Sequence, residues 1–300
     1  MTASVFDGFT QHRLQGADDV EIFAMTGGSG PPVLLLHGYP QTHVCWLKIA
    51  SRLAKDHTVV LTDLRGYGAS GKPPGGLDHA AYSKRAMAAD QVRIMQTLGF
   101  GRFAVAGHDR GGRVAHRLAL DFPDAVTRLA VLDIAPTLTM YEATSRAFAE
   151  AYYHWFFLIQ PFDLPERLIG ADPAHYLHTT LKSWCKTDGA IPDEALAHYT
   201  RAFCDPSAIH AACEDYRAAA TIDLEHDRAG AAAGHRLTMP LLALWGARGT
   251  VGRLFDVLET WREKSTSTVE GHPLDCGHFL PEERPDEVLA ALKRFLIATP

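Results

Sequence analysis

The sequence of 300 residues contains no apolar run long enough to cross a bilayer. Positive charge is not in excess either, since the formal net charge is −6 at pH 7, which gives no support for nucleic-acid binding. The N-terminus lacks a basic segment followed by an apolar core, so we expect no secretory signal and a cytoplasmic location. These absences argue against membrane and nucleic-acid partners.

Cysteine is scarce, and its arrangement excludes two common uses. The five cysteines are odd in number and include no CxxC pair, so neither a disulfide framework nor a zinc site is expected. The sixteen histidines show no HExxH spacing, which would have indicated a metal site. We therefore expect no metal and no organic cofactor, and a reducing compartment suits the free thiols.

Apolar runs alternate with helical patterns along most of the chain, which predicts an α/β fold with a mostly parallel central sheet. Two strands and a turn are predicted within residues 9–26. Further strands are predicted at 33–36, 59–64, 103–106, 128–134, 241–246 and 266–270. Helical spacing is found at 83–98 and 285–296.

The alternation stops between residues 137 and 227, where the chain becomes rich in aromatic residues with helical spacing. We interpret this segment as a helical cap inserted after the sixth strand. Residues 1–136 and 228–300 would then form one core domain. Such a cap would cover a site on the sheet and exclude water from it.

One stretch combines a buried strand, a sharp turn and a helix around a single reactive side chain. Gly107 and Gly111 each lie two positions from Asp109, and helical spacing follows. Only small residues fit beside the nucleophile in the nucleophile elbow of the α/β-hydrolase fold, where Ser is usual. The sequence thus predicts an aspartate nucleophile, with a simple helix N-cap as the alternative reading of Asp109.

An aspartate at this position changes the expected chemistry. Its unperturbed pKa of about 3.9 means that it is already ionised at neutral pH and needs no base to activate it. A carboxylate attacking an acyl group would form an anhydride that reverts easily, whereas attack on saturated carbon forms an ester. The expected substrates are therefore alkyl halides or epoxides.

The order nucleophile, acid, histidine that this fold requires is met by Asp109, Asp133 and His278. His278 follows Gly277 near the C-terminus and would deprotonate the water that hydrolyses the ester. Many relatives carry the acid in the loop after the seventh strand, but residues 246–250 contain none. Asp133, at the end of the sixth strand, is predicted to orient the histidine; Asp256 or a turn role for Asp133 are the alternatives.

The loop His37-Gly38-Tyr39 ends a predicted buried strand and is followed by Pro40. In α/β-hydrolases this loop supplies a backbone N–H to the active site, so we assign these three residues to the oxyanion and pocket loop. An ordinary Gly-Pro turn is the alternative.

Two arginines flank the proposed nucleophile: Arg110 is adjacent to Asp109, and Arg113 lies about one helical turn on. A guanidinium presents a planar fork of donors that matches a carboxylate. We expect the pair to hold an anionic substrate beside the anionic nucleophile. Pairing of one or both with surface acids is the alternative.

Taken together, several motifs make the chain resemble the fluoroacetate (haloacetate) dehalogenases of the α/β-hydrolase superfamily along essentially its whole length. These motifs are residues 107–113, Tyr153-His154-Trp155, residues 213–218 and Asp133. The resemblance implies that Asp109 attacks the halogen-bearing carbon, that Arg110 and Arg113 bind the substrate carboxylate, and that His154, Trp155 and Tyr216 bind the departing halide. It also implies a haloacid substrate and a homodimer.

Related families differ at the residue after the nucleophile. Haloalkane dehalogenases and epoxide hydrolases commonly carry Trp there, whereas this chain carries Arg110. That difference favours a small carboxylate over a neutral substrate. An epoxide hydrolase and a non-catalytic receptor for small carboxylates remain the alternatives, and plain packing is the alternative role for the cap aromatics. The sequence does not decide between fluoride and chloride as the preferred leaving group.

Overall fold

Eight strands form one sheet in the computed structural model, which describes residues 6–297. In chain order the strands are β1 (Thr10–Gln15), β2 (Glu21–Gly27), β3 (Pro32–Leu36), β4 (Thr58–Thr62), β5 (Phe103–His108), β6 (Val126–Leu132), β7 (Leu241–Gly246) and β8 (Val269–Leu274). Their spatial order is β1-β2-β4-β3-β5-β6-β7-β8. Strands β1, β2 and β4 pair antiparallel, and every other neighbouring pair is parallel. The predicted mostly parallel sheet is confirmed.

The central strands are buried because helices cover both faces of a parallel sheet. Every residue of β5 is buried, as are Val33 to Leu36 of β3. The helices before the cap are α1 (Leu47–Leu53), α2 (Lys84–Thr97) and α3 (Arg110–Asp121). Short 3-10 helices occupy Ala17–Asp19, His43–Trp46 and Ala80–Tyr82.

Between β6 and β7 the chain contains only helices, which confirms the helical insertion. They are α4 (Thr137–Glu142), α5 (Arg146–Ala151), α6 (Tyr153–Leu158), α7 (Leu164–Gly170), α8 (Pro173–Trp184), α9 (Asp193–Phe203), α10 (Pro206–Ala220) and α11 (Ile222–Ala232). We call this set of helices the cap. The predicted boundary at residue 227 falls inside α11, which continues to Ala232.

Four helices follow the seventh strand: α12 (Val251–Leu254), α13 (Val257–Arg262), α14 (Leu280–Glu283) and α15 (Pro285–Ile297). The last strand lies later than the predicted 266–270. The β-branched residues Thr266 and Thr268 precede it, and β8 extends through Gly271 and Pro273, which are unfavourable strand residues. Its parallel pairing along β7, from Leu241↔Val269 to Gly246↔Leu274, overrides that local preference.

Among residues 6–297, no helix is both long enough and apolar enough to span a membrane. Most of the large apolar side chains of the sheet and of the helices around it belong to one continuous core. The carboxyl ends of β5 and β6 and the loop before α14 meet beneath the cap, and this is where the predicted reactive residues lie.

Candidate active site

Asp109 occupies a strained turn between β5 and α3. Its backbone angles are φ 47° and ψ −116°, which an L-residue adopts only when its surroundings enforce them. A Cβ at Gly107 would lie 2.3 Å from the carbonyl oxygen of Gly111, and one at Gly111 would lie 2.3 Å from that of His37. The turn therefore requires glycine at both positions. The side chain of Asp109 makes no capping hydrogen bond, so the N-cap alternative does not apply.

The two carboxylate oxygens of Asp109 have different surroundings. Oδ1 accepts a hydrogen bond of 2.9 Å from the backbone N–H of Tyr39, which the loop after β3 places over the turn. Oδ2 faces the imidazole of His278. Burial alone would raise the pKa of Asp109, but electrostatic interactions with His278, His108, Arg113 and Arg110 outweigh it and lower the pKa. The residue is therefore a buried carboxylate ion at neutral pH.

His278 lies between two carboxylates. Its Nδ1 is 2.6 Å from Asp133 Oδ2, and its Nε2 is 3.8 Å from Asp109 Oδ2 with no hydrogen-bond partner. The other oxygen of Asp133 accepts 2.9 Å from the backbone N–H of Gly246, which fixes the carboxylate. Asp256 instead caps α13 by accepting from Glu259 N at 3.0 Å. The geometry therefore brings Asp133, and not Asp256, to the histidine.

Two opposing effects set the charge of His278. Burial disfavours the imidazolium, but the hydrogen bond that Nδ1 donates to Asp133 and the charges of Asp133 and Asp109 prevail, so that the pKa of His278 is raised above its usual value. Asp109 is thus one of the groups that favour the protonated form of the histidine in the free protein. Any reaction that neutralises Asp109 removes that contribution, lowers the pKa of His278 and so increases the fraction of neutral imidazole that can accept a proton.

Arg110 and Arg113 are both buried, at 0% and 3% exposure, so neither pairs with a surface acid. The bidentate edge of Arg110 contacts Asp215, with Nε 2.9 Å from Oδ2 and Nη2 2.6 Å from Oδ1. Arg113 Nη1 donates to the carbonyl of Ala135 at 3.2 Å and to Thr137 Oγ1 at 3.0 Å. The pair of donors on Arg110 that was expected to bind the substrate is therefore occupied by Asp215. Nη1 of Arg110 and Nε of Arg113 are buried without hydrogen-bond partners.

The cap delivers the three remaining predicted residues to the same region. His154 and Trp155 come from α6, Tyr216 comes from α10, and all three are buried. The Tyr216 ring lies 4.1 Å from the Arg110 guanidinium carbon and the Trp155 ring 4.7 Å from that of Arg113. The hydroxyl of Tyr216 and Nδ1 of His154 have no hydrogen-bond partner. Burial lowers the pKa of His154 to about 3, so its imidazole is neutral.

A cavity of about 470 Å³, including its mouth, opens from Asp109 toward the surface. It is lined by four predicted residues, Asp109, Asp133, His154 and His278. The two arginines, Trp155 and Tyr216 are not among its lining residues. The side chain of His37 is directed elsewhere, since its Nε2 accepts from Leu64 N at 3.0 Å. Of the predicted loop, Tyr39 donates its N–H to the nucleophile, and Gly38 packs so closely on Asp109 that a Cβ there would lie 2.4 Å from the Cβ of Asp109.

Several residues of the site carry no signal in the sequence. Tyr152, Trp184, Lys186 and Arg248 also line the cavity, and the carbonyl of Trp184 accepts from His278 N at 3.1 Å. Their roles depend on how the cap folds over the core, which local patterns do not encode. Asp215 lies within a motif noted above, yet only the structure reveals its contact with Arg110.

No group of three or more His, Cys, Asp or Glu side chains suited to a metal ion occurs within residues 6–297. The reaction expected from an aspartate nucleophile uses no metal or organic cofactor, and that expectation remains a prediction.

Fold and site together define a member of a known class. Residues 31–285 match the family model of the alpha/beta hydrolase fold, and the chain belongs to this family. It is 47% identical to fluoroacetate dehalogenase from Burkholderia sp, over 97% of this chain and 95% of that protein. It is 36% identical to soluble epoxide hydrolase from Corynebacterium sp. strain C12, over 90% and 92%.

A solved structure supports the same assignment of the fold. The chain superimposes with a TM-score of 0.91, at 48% identity, on a variant protein from Pseudomonas aeruginosa that is provisionally described as an epoxide hydrolase and contains bound MFA. The similarity covers 98% of this chain and 97% of that chain.

Proposed function

We propose that the protein hydrolyses 2-haloacids to 2-hydroxyacids, with fluoroacetate to glycolate as the main case. The observation that carries this proposal is the pairing of an ionised aspartate at the elbow with two buried arginines that each keep one unpartnered nitrogen. The relative named fluoroacetate dehalogenase supports the same choice of substrate. The cytoplasmic location and the homodimer expected from the sequence remain predictions.

In the first step, Asp109 displaces the halide. Oδ1 is held by the Tyr39 N–H, so Oδ2 is the oxygen free to attack the halogen-bearing carbon. The carbon–halogen bond breaks, the halide leaves with the electron pair, and an aspartyl ester forms. Nη1 of Arg110 and Nε of Arg113 would bind the substrate carboxylate and offset its repulsion by the nucleophile.

Departure of fluoride needs strong hydrogen-bond donors, because fluoride is a poor leaving group but a good acceptor. The hydroxyl of Tyr216, a ring N–H of neutral His154 and the indole N–H of Trp155 would supply them. Donors directed at a developing anion in a dry pocket act as an oxyanion hole does. The partnerless hydroxyl of Tyr216 supports this role.

In the second step, water attacks the ester carbonyl carbon of Asp109. The ester carries no charge, so His278 loses one of the negative charges that raise its pKa and takes the proton from water at Nε2. Asp133 stabilises the imidazolium. The Tyr39 N–H stabilises the negative charge that develops on Oδ1, the carbonyl oxygen of the ester. On collapse the bond between the ester oxygen and the acyl carbon breaks, the leaving oxygen takes the proton back from His278 and departs as the hydroxyacid, and Asp109 releases one proton to solvent to become a carboxylate with one oxygen from water.

A fluoride electrode tests the proposal with purified protein and fluoroacetate. We expect one fluoride ion and one glycolate per turnover, and no fluoride from Asp109→Asn. Fluoride release that persists in Asp109→Asn, or no release by the wild-type protein from fluoroacetate or chloroacetate, would overturn it.

An epoxide hydrolase is the second candidate. The partnerless Tyr216 hydroxyl could protonate an epoxide oxygen, and the relative from Corynebacterium sp. carries that name. A buried pair of arginines serves no purpose toward a neutral epoxide. Turnover of styrene oxide with no turnover of haloacetates would favour this second function. Binding of acetate with no turnover of either substrate would instead indicate a receptor for small carboxylates.

A further inference from the structure

Asp215 makes closer contact with Arg110 than any other side chain does. It lies on cap helix α10, is fully buried, and accepts from Nε and Nη2 of Arg110 at 2.9 Å and 2.6 Å. Its backbone carbonyl also accepts from Nη2, at 2.8 Å. Three hydrogen bonds therefore fix both the position and the plane of one guanidinium, and they leave Nη1 as its one nitrogen without a partner.

The carboxylate of Asp215 is itself held from the core. Tyr67, in the loop after β4, donates to Oδ2 at 2.6 Å, and the ammonium group of Lys84 on α2 donates to Oδ1. Burial alone would raise the pKa of Asp215, but the charges of Arg110 and Lys84 hold it far below the usual range. The residue stays ionised, and each of its oxygens contacts two donors from the core domain.

The next residue on α10 completes the enclosure of Arg110. The ring of Tyr216 lies 4.1 Å from the guanidinium carbon, so the cap contacts one face of the group through Tyr216 and one edge through Asp215. Arg110 comes from the core helix α3, immediately after Asp109. The orientation of the arginine therefore depends on the cap being seated on the core.

We propose that Asp215 is a positioning residue that determines the specificity for carboxylate substrates by directing Nη1 of Arg110 toward the substrate carboxylate. This inference rests on the proposed function. Arg110 interacts electrostatically with the carboxylates of Asp109, Asp215 and Asp223, and of these three it is hydrogen-bonded to Asp215. Without the negative charge of Asp215, Arg110 would turn toward Asp109, neutralise the nucleophile and abandon the substrate carboxylate.

The structure offers a matched control. Arg117 and Asp227 also join α3 to the cap by an ion pair, two helical turns beyond Arg110 and away from Asp109. Asp227→Asn removes a cap carboxylate from a core arginine, as Asp215→Asn does, but touches no proposed substrate contact. A role limited to holding the cap would make the two variants alike.

Acetate is a suitable probe because it has the carboxylate and lacks a leaving group. We expect wild-type protein to bind acetate, measured by calorimetry and as competitive inhibition of chloroacetate turnover. Asp215→Asn should weaken acetate binding at least about tenfold, which corresponds to roughly 1.4 kcal/mol. It should raise KM for chloroacetate to a similar extent, while inhibition by bromide, which carries no carboxylate, stays within about twofold. Asp227→Asn should bind acetate as the wild type does.

Tyr67→Phe provides a milder variant, should Asp215→Asn fail to fold. It removes one hydrogen bond to Asp215 and leaves all charges in place, and we expect acetate binding to weaken about two- to fivefold with bromide inhibition unchanged. Unchanged acetate affinity in Asp215→Asn, equal losses in Asp215→Asn and Asp227→Asn, or parallel losses of acetate and bromide would overturn the inference. Absence of acetate binding in the wild type would instead overturn the proposed carboxylate site.

Discussion

Nε2 of His278 lies 3.8 Å from Oδ2 of Asp109 and has no hydrogen-bond partner. That separation is too long for a hydrogen bond, so the histidine does not hold the nucleophile in its resting state. The nucleophile needs no such help, because the surrounding charges lower the pKa of Asp109. The arrangement suits a histidine that acts after the ester has formed, by taking a proton from water beside Asp109.

His278→Asn separates the two chemical steps. Ester formation should continue, and hydrolysis should stop, because asparagine cannot accept the proton from water. After incubation with fluoroacetate, intact-protein mass spectrometry should show an adduct of one carboxymethyl group, located on Asp109 by peptide mapping. Asp109→Asn serves as the control and should remain unmodified. Full turnover by His278→Asn without an adduct would remove His278 from the reaction.

The pH dependence of ester breakdown tests the electrostatic coupling between these two residues. In the free protein, Asp133 and Asp109 outweigh burial and raise the pKa of His278. Esterification removes the charge of Asp109, so the pKa should be lower in the intermediate. The neutral imidazole is the base, and breakdown should therefore accelerate as pH rises through that lower pKa and then level off.

Two measurements give the comparison. Rapid-quench kinetics of ester breakdown should give a midpoint below the pKa of His278 that NMR titration reports for the free protein. A midpoint equal to or above the free-protein value would show that Asp109 does not control the base.

The arginines differ as targets for substitution because their partners differ. Arg110→Leu leaves the buried carboxylate of Asp215 without its main partner. Because breaking a buried ion pair costs about 3–5 kcal/mol of stability, this variant should have a lower Tm as well as less activity. The neighbours of Arg113 are the neutral acceptors Ala135 O and Thr137 Oγ1. Arg113→Leu is thus the cleaner test of the substrate contact.

Arg113→Leu should raise KM for haloacetates at least about tenfold, since a lost hydrogen bond to a charged group is worth about 1.5–3 kcal/mol. Lysine at this position should restore little, because it lacks the planar group. Steady-state kinetics with a parallel thermal melt provide the check. Wild-type kinetic constants in Arg113→Leu would show that this arginine only supports the Ala135 and Thr137 loop.

Trp155→Phe should affect fluoride release more than chloride release. The substitution keeps an aromatic ring near Arg113 and deletes the N–H donor. Removal of one directed donor from an oxyanion hole costs about 2.7–4 kcal/mol at the transition state, whereas chloride leaves readily and accepts hydrogen bonds weakly. Fluoroacetate turnover should fall strongly and chloroacetate turnover should change little. Equal losses with both substrates would indicate that Trp155 only packs against Arg113, Tyr141 and Phe148.

The fold was predictable from local patterns because the core strands are continuous apolar runs and the elbow requires glycines at fixed spacing. Elements whose conformation depends on residues distant in the chain were harder to predict. β8 is one example, since its pairing with β7 carries it through Gly271 and Pro273. The end of the cap is another, because α11 continues past the predicted boundary through Gly230, a poor helix former, to Ala232.

For the site, chain order was sufficient to select Asp133 for the contact with His278, and the structure shows that contact at 2.6 Å. Contacts between the cap and the core were beyond sequence reasoning, because they join residues far apart in the chain. The pairing of Arg110 with Asp215 spans 105 positions, and it changes the expected geometry of substrate binding from a free fork to a single nitrogen.

The central claim is that Asp109 becomes covalently attached to the substrate, and a single turnover in ¹⁸O-labelled water tests it most directly. With enzyme in excess over chloroacetate, the hydroxyl oxygen of the first glycolate should come from Asp109 and carry no label. The label should appear in the peptide that contains Asp109, because water attacks the ester carbonyl. Labelled glycolate with an unlabelled Asp109 peptide would mean that water attacks the substrate directly, and it would contradict the account.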